Sequence, residues 1–134
     1  MSAVLQATMT APHNASLNAS TDASAWTDIC PVDDILPDTG VCALVQGRHV
    51  AVFRVQSADQ SDRFFAIDNI DPKSGASVLS RGLVGSLGER IVVASPLYKQ
   101  HIDLQSGECV EQPELSVSAH AVRTEGGLVQ VRLS

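Results

Sequence analysis

The chain is poor in the residues from which most recognisable sites are built. Its three cysteines, Cys30, Cys42 and Cys109, are scattered, with no Cys-x-x-Cys pair. That spacing excludes a zinc knuckle, a thiol redox motif and a disulfide framework, and it suits reduced thiols that serve as small core hydrophobes. There is no P-loop, no G-x-G-x-x-G, no H-E-x-x-H and no G-x-S-x-G, so the common nucleotide, metalloprotease and serine-hydrolase signatures are missing. No apolar run approaches the roughly 20 residues of a membrane-spanning helix. Basic side chains are few: nine Lys and Arg stand against fifteen Asp and Glu, a net charge of −6. Nucleic acids and anionic membranes are recognised by clustered positive charge, so neither is an expected partner. Residues 1–25 contain no Lys or Arg, and Asp22 is their one charged side chain. A secretory signal needs a basic start and a mitochondrial presequence needs arginines. This Ala-, Ser-, Thr- and Asn-rich stretch reads instead as a disordered leader, and His13 within it has no assigned role.

What is present is a β-pattern across residues 26–134, read as one domain. Residues 26–30 read as an edge strand closed by Pro31, and residues 32–36 as one helical turn with Asp33 and Asp34 at its start. Residues 40–45 and 50–55 read as a hairpin around Gln46, Gly47, Arg48 and an exposed His49. Both strands carry apolar residues on both faces, which suits a strand inside a sandwich. Residues 56–62 are a polar loop and 63–68 the next strand. Residues 77–85 are expected to turn twice, with Gly82 and Gly85 supplying positive φ. Residues 91–94, 100–104 and 108–111 read as short strands, the last two joined at Ser106-Gly107. A final hairpin takes residues 119–124 and 128–133 around Glu125-Gly126-Gly127, with Val129, Val131 and Leu133 inward. Eight or nine short strands and almost no helix indicate an all-β sandwich.

The informative region is 69–103, NIDPKSGASVLSRGLVGSLGERIVVASPLYKQHID. Two proline-bearing loops flank a short apolar run. They are similar to the loops of a Rieske domain, where each gives one Cys and one His to a [2Fe–2S] cluster, in C-x-H and C-x-x-H patterns. Laid on those frames, the ligand positions hold Asp71 and Lys73 in the first loop, and Ser95 and Tyr98 in the second. Cluster iron takes thiolate or neutral imidazole. Bringing Lys73 to neutrality alone costs roughly 4–5 kcal/mol from its ordinary pKa. Asp71 is a hard oxygen donor, and Ser95 is a far weaker acid than a thiol. His101 lies near the second loop, but a single His there is expected to be a hydrogen-bonded surface residue. Asp68, Asp71 and Asp103 invite a general acid–base role; carboxylates that cap loops are the commoner case. The sequence shows no catalytic residues and no metal site on this chain.

The runs GVCALV, NIDPKSGA, VLSRGLVG and SPLYKQHIDL with SGEC resemble the small subunit of assimilatory NAD(P)H-dependent nitrite reductase, from residue 26 to residue 133. Lys73 and Ile102 depart from the pattern, where an aromatic and a phenylalanine are expected. The resemblance implies an antiparallel Rieske-like β-sandwich without cluster ligands. It also implies an accessory, non-catalytic subunit of a cytoplasmic oxidoreductase that reduces nitrite to ammonium in nitrate and nitrite assimilation. The partner it implies is the large catalytic subunit, which carries FAD, a [4Fe–4S] cluster and sirohaem, with no cofactor on this chain. A free-standing interaction module on the same scaffold and a Rieske-type electron-transfer ferredoxin are the alternatives, the second opposed by the donor set. The two loops admit two roles that are compatible: a structural clasp replacing the metal, and a partner surface presenting Lys73, Arg81, Tyr98, Lys99 and Gln100.

Overall fold

A computed structural model describes residues 4–6 and 25–134, the first three as backbone only. Ten strands run in chain order: β1 (Val4–Gln6), β2 (Thr27–Pro31), β3 (Thr39–Val45), β4 (Arg48–Gln56), β5 (Asp62–Asp68), β6 (Leu83–Leu87), β7 (Arg90–Ala94), β8 (His101–Asp103), β9 (Ala119–Glu125) and β10 (Leu128–Arg132). Among the described residues the helical content is three single 3-10 turns, Val32–Asp34, Leu79–Arg81 and Pro113–Leu115. No helix among them is long and apolar enough to cross a membrane.

The strands form two sheets, one of seven in the order β1-β3-β4-β5-β9-β10-β2 and one of three in the order β6-β7-β8. Pairing is antiparallel except for β1, which lies parallel to β3 with Val4 opposite Cys42. The segment read as a leader therefore contains one short strand; residues 1–3 and 7–24 of it lie outside the described residues. β4 shows why the large sheet is apolar on both faces. Val50 and Val52 join a core with Ile29, Val41, Ala43, Val45, Val129 and Val131. Ala51, Phe53 and Val55 enter a second core with Ile67, Leu79, Val93 and Ile102. The first core takes residues from β2 and β3, near opposite ends of the strand order, so the sheet bends until its ends share one interior. The second core lies between the sheets. Each fully buried Val, Ile or Phe contributes about 1.5–3 kcal/mol.

Several expectations change in detail. The first hairpin turn is two residues, Gln46 and Gly47, at φ 50 and 83. Both positive values give the twist that suits adjacent strands, and Arg48 and His49 belong to β4. Residues 83–87 are a strand rather than part of a double turn. Gly82 has φ −75, so it is needed for space: a Cβ there would lie 2.2 Å from the carbonyl oxygen of Ala94. The return strand at 108–111 shrinks to a single bridge between Ile102 and Cys109. Its backbone still bonds to β8, with Asp103 N–H donating to the Glu108 carbonyl at 2.8 Å and Val110 N–H to the His101 carbonyl at 2.9 Å, while Cys109 N–H turns away to Ser116 Oγ at 3.0 Å.

Candidate functional site

The first loop leaves β5, in the large sheet, and the second leaves β7, in the small one. Asn69 organises the start of the first. Its side-chain oxygen accepts from Ser80 N–H at 2.6 Å, and its amide donates to Ser77 Oγ at 2.6 Å. Its carbonyl accepts from Val78 N–H and Leu79 N–H. Asp71 follows, fully buried. Asp71 Oδ1 accepts from the N–H groups of Lys73 at 2.8 Å and Ser74 at 3.4 Å, and Gly75 N–H donates to the Asp71 carbonyl at 2.7 Å. That turn holds the loop with no external group. In the second loop, Ser95 N–H donates to the Gln100 carbonyl at 2.9 Å and Lys99 N–H to the Ser95 carbonyl at 3.0 Å. Lys99 closes this turn at φ 66, a left-handed conformation that few non-glycine residues adopt.

The four ligand positions meet in pairs. Asp71 and Ser95, at the two Cys positions, are both fully buried and bonded across the gap, the Ser95 hydroxyl donating to Asp71 Oδ2. Lys73 and Tyr98, at the two His positions, are exposed, with the Lys73 ammonium 4.7 Å from the centre of the Tyr98 ring. In a Rieske centre two Cys hold one iron and two His the other. The division into a buried pair and an exposed pair is retained here with different chemistry. The buried pair is the clasp. The donors do not fit a [2Fe–2S] cluster: they are a carboxylate, a hydroxyl, an ammonium and a phenol, engaged with one another.

Gln100 is where the structure corrects the sequence reading. It is buried, not on the loop face, and its Nε2 donates to Asp71 Oδ1 at 3.0 Å. Because the Gln100 backbone closes the second loop, its side chain is turned inward onto the carboxylate. Nothing in the SPLYKQ run marks it as different from its exposed neighbour Lys99. Lys73, Arg81, Tyr98 and Lys99 are exposed as expected.

Burial pushes the Asp71 carboxyl up, but its hydrogen bonds outweigh that, from Ser95 first and then Lys73, Ser74 and Gln100. They hold it below the usual carboxylate value. The clasp is therefore anionic at neutral pH. Asp103 repeats the device. Burial opposes its ionisation, and the N–H groups of Ser106 and Gln105 with the Arg90 guanidinium bring it below its ordinary value. The runs DPKSG and DLQSG thus form the same turn, each with a glycine at positive φ whose N–H donates to the aspartate carbonyl. Asp68 accepts from Ser118 N–H and pairs with Arg48 and His120. All three aspartates cap loops. His101 bonds to Glu111 at 2.6 Å and touches neither loop carboxylate.

Comparison with known proteins agrees with this geometry. Residues 25–132 match the model of the Rieske-like [2Fe-2S] domain family. The chain is 50% identical over 109 residues to the nitrite reductase (NADH) small subunit of Escherichia coli K12, covering 81% of this chain and 98% of that protein. The solution structure of the E. coli protein NirD superposes with a TM-score of 0.73 at 49% identity, over 81% of this chain and 96% of that one. A third relative is the nitrite reductase [NAD(P)H] large subunit of Klebsiella oxytoca, 42% identical over 106 residues that make up 79% of this chain but 11% of that protein. With the Rieske frame kept and its ligand positions converted to a clasp, the chain belongs to the nitrite reductase small-subunit family of Rieske-like domains.

Proposed function

We propose that the chain is the accessory small subunit of a cytoplasmic NAD(P)H-dependent nitrite reductase, bound to a large catalytic subunit that reduces nitrite to ammonium. The observation that carries this reading is the 50% identity over nearly the whole E. coli small subunit. The Klebsiella relative adds to it, since there a region similar to this chain forms part of a large-subunit polypeptide. In this reading the chain carries no cluster and no electrons, because its ligand positions offer only hard or protonated donors. FAD, [4Fe–4S] and sirohaem belong to the large subunit.

The assembly face is the loop tip, with Lys73, Arg81, Tyr98 and Lys99 exposed around the clasp. It concentrates basic and aromatic groups on an acidic chain, and Tyr and Arg are common interface anchors. The test is co-expression with the large subunit, followed by mass measurement of the complex and NAD(P)H-dependent nitrite reduction with and without this chain. Co-purification and higher activity with the chain are expected; two proteins that elute separately, with activity unchanged, would overturn the reading. Iron and sulfide analysis of the isolated chain tests the rest. A near-stoichiometric content with Rieske-type absorption would show an electron carrier.

A further inference from the structure

Among the described residues, the three-stranded sheet has one edge with no strand against it. β8 is flanked on its outer side by the bridge from Ile102 to Cys109, whereas β6 has β7 as its single strand neighbour. The β6–β7 hairpin turns through Gly88 and Glu89, and Gly88 has φ 63 while Glu89 does not share the left-handed region. Such a two-residue turn makes its flanking residues, Leu87 and Arg90, a hydrogen-bonded pair. Pairs alternate along the ladder, so Gly85 with Val92 and Leu83 with Ala94 are bonded likewise. The N–H and C=O groups of Val84 and Ser86 consequently face away from β7. Among the described residues no other backbone group bonds to them.

Edges of this kind are usually blunted by charge, proline or a covering loop. β6 reads LVGSL, without charge or proline, and Leu83 at 81% is the most exposed large apolar side chain among the described residues. Two grooves run beside it. One of about 640 Å³ lies between Asp38–Gly40 and Ser80–Val84, the other, of about 430 Å³, between Gln56–Ala58 and Val84–Ser86. Asp38 and Val84 line both. A line of backbone groups without a partner among the described residues, beside two adjoining grooves, is the geometry of strand addition, in which main-chain bonds give affinity and pockets select alternate side chains.

We propose that the β6 edge receives an extended segment of the large subunit, apolar at alternate positions, as a fourth strand of the small sheet. The proposal rests on the reading of the chain as that enzyme's small subunit. Two observations favour this occupant over a second copy. Arg81, a residue of the proposed assembly face, lines one of the two grooves together with Leu83 and Val84; and two copies would each bring a net charge of −6.

Ser86→Pro is the decisive substitution. It removes a donor that the β6–β7 ladder does not use, and Ser86→Ala keeps that donor. Titrated against the large subunit, Ser86→Pro is expected to bind at least tenfold more weakly, and Ser86→Ala like the wild type. Circular dichroism and melting serve as the folding control. Equal binding of all three overturns the edge proposal while leaving the subunit reading intact. Failure of the wild type to bind overturns the reading itself. A homodimer of the isolated chain that Ser86→Pro dissociates makes the occupant a second copy, and also overturns the proposal. Amide exchange in the wild type decides the matter even if the proline variant unfolds. The Val84 and Ser86 N–H groups are expected to exchange fast in the free chain and slow at least tenfold in the complex; unchanged exchange rules out strand addition.

Discussion

Asp71 is the centre of the clasp between the two loops. It is buried, ionised and supplied with four donors. Asp71→Ala leaves the buried Ser95 O–H and Gln100 Nε2 donors without their acceptor, with an expected loss of about 3 kcal/mol and a melting temperature lower by roughly 10 °C. Calorimetry of the isolated chain measures it. The same residue sets an acid limit. Its folded pKa lies below the unfolded value of about 3.9, so its contribution is complete above that value. As pH falls through the lower folded value, the contribution disappears. Stability should therefore rise with pH through the acid range up to about pH 5, and Asp71→Asn should flatten part of that rise; Asp103, also held below its ordinary value, supplies another part. Denaturant midpoints across this range test the slope, and an unaltered slope in Asp71→Asn would remove Asp71 from the account. The poverty of the donors was legible in the sequence, because ligand chemistry belongs to residue types. That Asp71 meets Ser95 and Lys73 meets Tyr98 was not legible, since the partners lie 24 and 25 positions apart on different sheets.

Among the elements, the pair β6 and β7 shows how local signals mislead. LVGSL is broken by Gly85 and flanked by Gly82 and Gly88, so it reads as turns; pairing with the apolar β7 makes it a strand. Gly82 illustrates the same gap. A glycine can be required by its own φ or by another chain segment passing close, and only the first leaves a local trace. Gly82→Ala forces the β6 entry away from the Ala94 carbonyl, at an expected cost of about 1–3 kcal/mol. Gly85→Ala, with open space around it and no positive φ, is the control, expected to be neutral or to gain about 0.5–1 kcal/mol. Equal melting temperatures for the two variants would show that the close approach is not binding. The strands from β3 to β5 were readable because alternate residues are apolar on both faces, a pattern that needs no knowledge of the partner.

At the scale of the molecule, the division of the loop residues into a buried and an exposed pair predicts that stability and the proposed assembly can be separated by mutation. Tyr98→Ala with Lys99→Ala removes exposed groups and one cation–π contact, worth about 0.5–1 kcal/mol at an exposed site. The isolated domain should therefore melt within a few degrees of wild type. Affinity for the large subunit is expected to fall by about 2 kcal/mol, some thirtyfold, as a titration would show. Unchanged affinity would remove the loop tip from the interface. The two sheets also have a joint future in unfolding. β4 places alternate residues in both interiors, so neither interior opens without it. The chain should therefore melt in one transition, its calorimetric and van't Hoff enthalpies equal. The inner amides of β4, Val50 to Phe53, should exchange with solvent only when the whole domain opens. The lobes that look separable by sheet are one cooperative unit, hinged on a strand that belongs to both.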